Sequence, residues 1–207
     1  MSVLFFDVGY TLINEDTVWE RRCGEQAETE EAKKLGLSAD DIYNEICLSS
    51  VNRKPQYRTV INKFDFKEIA PYRFELEYLY EDAPRVLGEL SEKYELGIIA
   101  NQAEGLKKRL SDLGILTYFT YIISSWDVGI MKPDRKIFEY ALKTAKCPPE
   151  NAFMIGDRLD NDIAPAKSAG MNTVWIKQGF GRLHTPLSEE DTPDYTVDTL
   201  SELLYLL

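Results

Sequence analysis

From residue 83 onward the chain alternates short apolar runs with amphipathic stretches of helical period, joined by short connections. That rhythm is the signature of βαβ units, in which helical crossovers join parallel strands into a sheet covered on both faces. Leu96 to Ala100, Tyr121 to Ser124, Ala152 to Ile155 and Thr173 to Ile176 read as buried strands. Between them, Val86, Leu87, Leu90 and Tyr94 follow a capping Asp82, and Leu106, Leu110 and Leu113 precede Gly114. Asp134 opens a helix carrying Ile137, Phe138, Ala141, Leu142 and Ala145, Asn161 to Ala169 form another that ends at Gly170, and Leu200, Leu203, Leu204 and Leu207 suit a terminal helix. The predicted fold is α/β, a doubly wound, Rossmann-like, mainly parallel sheet.

The N-terminal segment adds a strand and a carboxylate. Val3 to Phe6 form a continuous apolar run, as expected of a strand buried on both faces, and Asp7 stands at its carboxyl end. In open α/β sheets ligands bind at that edge, which makes Asp7 a candidate nucleophile or metal ligand. Some seventy residues then look helical without a convincing strand. Trp19, Cys23 and Ala27 recur at four-residue spacing, and Ser38 with Asp41 has the form of a capping box. This predicts an α/β core of residues 1–13 and 83–207 and a helical cap of residues 14–82. Rooted beside Asp7, the cap would cover the carboxyl edge as a lid that excludes water.

Charge and composition narrow the function. A formal net charge of −11 over 207 residues disfavours nucleic acid or an anionic membrane surface as partner. No apolar run reaches the roughly 20 residues of a membrane helix, and the chain enters its first strand without a leader pattern, so it reads as cytoplasmic. Cys23, Cys47 and Cys147 are three widely spaced residues, which fits reduced thiols better than a disulfide framework. His184 is the only histidine, which excludes a multi-histidine zinc site, and its polar surroundings predict a surface loop. The composition is compatible with a monomer or a homodimer.

Four further segments fall at the ends of predicted strands: Asn101-Gln102, Ser125, Lys132-Pro133-Asp134, and Gly156-Asp157 through Asn161-Asp162. Each alone has an ordinary explanation as a turn, a solvated lysine or helix N-terminal acids. Together, in order and on one sheet edge, they resemble the haloacid dehalogenase-like hydrolases, whose motifs are an Asp-led turn, a Ser or Thr, a lysine and an acidic loop. The resemblance spans nearly the whole chain, including Ser124 to Gly129, Ala169-Gly170-Met171 and the helical cap between the first two motifs.

The resemblance implies a phosphatase acting on a small phosphorylated or otherwise anionic metabolite through an aspartyl-phosphate on Asp7. Lys132 would stabilise the transferring phosphoryl group as a point charge. Mg²⁺ would be held by Asp7, the Gly9 carbonyl and Asp157, with Asp162 holding Lys132 or a metal-bound water. Asn101, Gln102 and Thr11 are the candidate phosphate-binding residues.

Two positions depart from the pattern. The family's phosphatases usually carry a second Asp two residues after the nucleophile, to protonate the leaving alcohol and then activate water; here that position is Gly9. General acid–base help is typically worth about two to four orders of magnitude. Ala100 stands where a phosphate-binding Ser or Thr is usual, with Asn101 the nearest substitute. These losses leave open a phosphatase for good leaving groups, a hydrolase of carbon–halogen or phosphorus–carbon bonds, or a weak or inactive binding protein. In the cap, Arg53, Lys54, Tyr57 and Arg58 read as a solvated face or, alternatively, as an attractor for an anionic substrate.

Overall fold

The computed structural model describes residues 2–207. Its main sheet has six parallel strands in the order β5-β4-β1-β6-β7-β8. They are β1 (Val3–Phe6), β4 (Glu95–Ala100), β5 (Phe119–Ser124), β6 (Ala152–Gly156), β7 (Asn172–Ile176) and β8 (Tyr195–Val197). A separate antiparallel ribbon pairs β2 (Ile13–Asn14) with β3 (Tyr78–Leu79).

The central strand β1 is fully buried because both faces are covered. Leu4 and Phe6 pack with Val86, Leu87 and Leu90 of α5 (Ala83–Ser91) and with Leu106 and Leu110 of α6 (Leu106–Asp112). Val3 and Phe5 point the other way, toward Ile137, Phe138 and Ala141 of α8 (Arg135–Ala145) and Ala166 of α9 (Ala164–Ser168). The short α7 (Ser125–Val128) follows β5, and α10 (Leu203–Leu206) closes the chain against the first of these faces. From β1 the chain builds outward through β4 and β5, then returns to the other side of β1 as β6. The strand order therefore reverses beside β1, and the carboxyl ends of β1 and β6 open a crevice there.

Where the cap is expected, the chain between the two strands of the ribbon forms four main helices, α1 (Asp16–Ala27), α2 (Glu30–Leu35), α3 (Ala39–Val51) and α4 (Gln56–Phe64). Cys23, Ala32, Ile42, Ile46, Tyr57 and Val60 form a second core, joined by Tyr10 and Phe180 from the α/β unit. The Ser38–Asp41 capping box is present at the start of α3.

Several local expectations are corrected. Asp82 occupies the N-cap position of α5, but its carboxylate accepts from Ser201 N (2.8 Å) and Oγ (2.6 Å), tying the terminal segment to the core. The stretch after Asp157 is one π-helical turn, Leu159–Ile163, before α9 begins. The two-residue strands β2 and β3 and the polar β8 escape recognition because strands so short show no alternation. His184 is not a surface residue: it is 5% exposed, with Nε2 3.2 Å from Ser50 Oγ at the end of α3. The segment after β7 folds over the seam between cap and core, and burial there lowers the His184 pKa. The three cysteines are free, with Cys23 and Cys147 buried. Among the described residues no helix is long and apolar enough to cross a membrane.

Candidate active site

Asp7 leaves the end of β1 with its backbone N–H donating to Ile155 O at 2.9 Å, which holds the turn against β6. Its carboxylate faces a cavity of about 660 Å³ between the sheet edge and the cap. Lys132 Nζ donates to Asp7 Oδ1 and to Asp162 Oδ1, each at 2.6 Å, with the lysine and Asp162 side chains essentially inaccessible. Burial works to lower the Lys132 pKa, but Asp162 and Asp7 outweigh it and raise it, so the lysine stays charged. A buried cation between two carboxylates is a fixed positive charge aimed at the Asp7 oxygen.

Two backbone devices hold that lysine. Asn101 Nδ2 donates to Lys132 O and Lys132 N donates to Asn101 Oδ1, both at 2.8 Å, so one amide clamps the loop from both sides. Asp162 in turn accepts from Arg158 N at 3.0 Å. A Cβ at Gly156 would lie 2.6 Å from Asp162 Cβ, so glycine at the end of β6 is what lets Asp162 approach.

Asp157 is 4% exposed, and no side chain among the described residues donates a hydrogen bond to its carboxylate. Burial, then Asp162 and Asp7, push its pKa well above the usual carboxylate range. Oxygens of Asp7, Asp157 and Asp162 lie within 4.8 Å of one another. Three carboxylates balanced by a single lysine fit a hard divalent cation, which would remove the repulsion that raises Asp157.

A further acidic group reaches the same cavity. Glu15 immediately precedes α1, and its Oε2 accepts from Trp19 Nε1 at 3.0 Å. Burial pushes its pKa up to about 7, opposed by hydrogen bonding from Trp19 and Tyr72 and reinforced by the charges of Glu77 and Asp7.

A family model described as haloacid dehalogenase-like hydrolase matches residues 5–176. The chain belongs to the haloacid dehalogenase-like hydrolases. A glyceraldehyde 3-phosphate phosphatase of Methanopyrus kandleri is 30% identical, over 99% of this chain and 96% of that protein. The crystal structure of a phosphatase of this family from Thermococcus onnurineus shares 27% identity and superposes with a TM-score of 0.72 over 100% of this chain and 97% of that one. The magnesium-bound structure of YfnB, a putative hydrolase of the family from Bacillus subtilis, is 23% identical, with a TM-score of 0.74 over 100% of this chain and 98% of that one, and shares the fold.

Within this hydrolase, Asp7, Gly9, Asn101, Gln102, Lys132 and Asp157 all line the cavity, and Asp162 sits fully buried behind Lys132. Asn101 has both ends of its amide committed to the Lys132 backbone, and Gln102 Oε1 accepts from Arg109 Nη2 at 2.6 Å. Thr11 is not brought into the cavity: it is fully buried under the turn, its hydroxyl without a partner among the described residues. The basic cap cluster divides. Arg53 and Arg58 line the cavity, but Arg53 is tied to Asp191 and to Thr185 O, leaving Arg58 exposed at the mouth. Lys54 is exposed, while Tyr57 is buried beneath Arg22, whose guanidinium stacks 3.6 Å from the ring centroid.

Sequence reading misses Glu15, Arg158 and Phe180. Phe180 sits edge-on to Tyr10 and Trp19, both at 5.4 Å between centroids, which seats the cap on the core. Arg158 reaches Gln56 Oε1 across the same seam at 3.1 Å. Glu15 and Phe180 stand in no motif, and Arg158, though inside the Gly156–Asp162 segment, shows nothing in the sequence of its reach to Gln56.

Proposed function

We propose that the chain hydrolyses small phosphorylated metabolites by forming and breaking an aspartyl-phosphate on Asp7, with Mg²⁺ as cofactor. The observation that carries this reading is the Asp7 carboxylate at the cavity floor, bonded to a buried Lys132 that Asp162 holds in place. A carboxylate is a weak nucleophile, and its use on phosphorus depends on alignment and on neutralising the equatorial oxygens. Asp7 is aligned by the β1–β6 edge, and Lys132 provides fixed positive charge beside the attacking oxygen. Asp7, Asp157 and the Gly9 carbonyl would hold Mg²⁺, with Asp162 beside them; bound there, the ion supplies the remaining charge neutralisation for the phosphoryl group. The cap closes over the reacting atoms and limits competing water.

The cavity of about 660 Å³ suits a small metabolite, with Arg58 at its mouth as an electrostatic guide for a phosphate. The relative's activity makes triose phosphates the first substrates to try. The test is turnover of p-nitrophenyl phosphate and glyceraldehyde 3-phosphate in Mg²⁺, with Asp7→Asn as control. Turnover abolished by Asp7→Asn is expected. No turnover across sugar, triose and nucleoside phosphates contradicts the phosphatase reading and favours a binding protein on the same fold.

A further inference from the structure

Gly9 lacks the side chain with which phosphatases of this family usually protonate the leaving group, yet the space beside it is filled by a carboxylate. A Cβ built on Gly9 would overlap Glu15 Oε1 and lie 3.0 Å from Glu15 Cδ and 3.5 Å from Oε2. The overlapping group arrives from the residue that follows the ribbon strand β2, and not from the Asp7 turn.

Local structure explains why this glutamate is available. Glu15 occupies the N-cap position of α1 but makes no capping bond. Asn14 Oδ1 instead accepts from Asp16 N at 2.8 Å, so the helix start is satisfied without Glu15. The freed carboxylate turns into the cavity, where Trp19 Nε1 fixes Oε2 and leaves Oε1 over Gly9. Every other carboxylate lining that cavity is committed. Asp7 is bonded to Lys132, Asp160 is paired with Arg158 at 2.6 Å, and Asp157 belongs to the three-carboxylate cluster.

We propose that Glu15 is the general acid and base of this hydrolase, standing in for the second Asp that Gly9 replaces. The role rests on the Asp7 phosphoenzyme reading above. In the first half, an Asp7 oxygen bonds to phosphorus, the bond from phosphorus to the leaving oxygen breaks, and that oxygen takes the proton of the Glu15 carboxyl. In the second, a water gives its proton to the Glu15 carboxylate as its oxygen bonds to phosphorus, and the Asp7–phosphorus bond breaks. Orthophosphate and the original Asp7 carboxylate are released, and Glu15 is again protonated. Gly9 is then a requirement of the arrangement, because any side chain there would displace the acid.

Leaving-group dependence separates this role from mere packing, since an alkoxide needs a proton on departure and a nitrophenolate does not. Glu15→Gln keeps the shape and the acceptor for Trp19. It is expected to lower kcat/KM on an alkyl phosphate such as glyceraldehyde 3-phosphate by roughly 10²- to 10⁴-fold. On p-nitrophenyl phosphate the loss in kcat/KM, which reports only the half-reaction up to departure of the leaving group, should stay below about tenfold. The paired variant Gly9→Asp/Glu15→Ala returns a carboxylate to the same space from the other side and should recover part of the alkyl phosphate activity. Equal losses in kcat/KM on both esters, or no loss on either, with Asp7→Asn still inactive and the fold intact by circular dichroism, overturn the role of Glu15 and leave the phosphatase reading standing. A wild-type protein that turns over neither ester overturns both.

Discussion

Replacing Glu15 with Gln should make the protein more stable at alkaline pH. A carboxyl raised from its ordinary 4.5 to about 7 is held protonated by the fold over a range where the unfolded chain has already released the proton. Unfolding therefore releases a proton between these values, and stability falls as pH rises from 4.5 to 7, then levels off. At 1.36 kcal/mol per pH unit the full loss is about 3 kcal/mol. The cavity's solvent reaches part of the side chain, which makes that an upper figure. Glutamine cannot ionise, so the variant escapes the loss. Urea unfolding with EDTA at pH 5 and pH 8 is the measurement. The variant should gain about 2 kcal/mol on the wild type between the two values, a shift of roughly 4–8 °C in Tm for a chain of this size. A gap that does not change with pH, or a variant less stable at pH 8 than at pH 5 relative to wild type, would show that the fold does not hold Glu15 protonated.

Lys132→Met should destabilise by about 3–5 kcal/mol, because it leaves Asp7 and Asp162 facing each other without their shared cation, and thermal melts read this directly. Raising Mg²⁺ should stabilise the wild type against heat and have much less effect on Asp157→Asn, as expected if that carboxylate holds the ion. Phe180→Ala removes the ring that joins cap to core and should cost about 3 kcal/mol, with KM rising more than kcat falls. Gly9→Asp alone should not raise activity on alkyl phosphates, because its Cβ competes with Glu15 for the same space.

The sheet and its carboxyl edge were legible because buried parallel strands show as unbroken apolar runs, and a carboxylate directly after one is conspicuous. Asp7 and Asp157 could be placed on one edge for that reason, and Lys132 only through its order among the other segments, since a short helix separates it from β5. Glu15 could not. Its burial depends on Asn14 taking over the capping bond and on Trp19 lying one helical turn ahead, neither of which has a signature in composition or period. His184 misled for a similar reason: a polar loop sequence says nothing about whether another element will cover it, and here α3 does. Arg53, Tyr57 and Arg58 are neighbours in sequence, whereas the turn at Arg53 and the helix α4 send the three side chains to different neighbours.

A crystal grown with Mg²⁺ and beryllium fluoride, which mimics a phosphoryl group on a carboxylate, tests the central claim most directly. The trifluoride is expected joined to the Asp7 oxygen that faces the cavity, with Lys132 within hydrogen-bond distance of it and Mg²⁺ against Asp7 and Asp157. An empty Asp7 carboxylate, with the mimic bound elsewhere in the cavity, would contradict it.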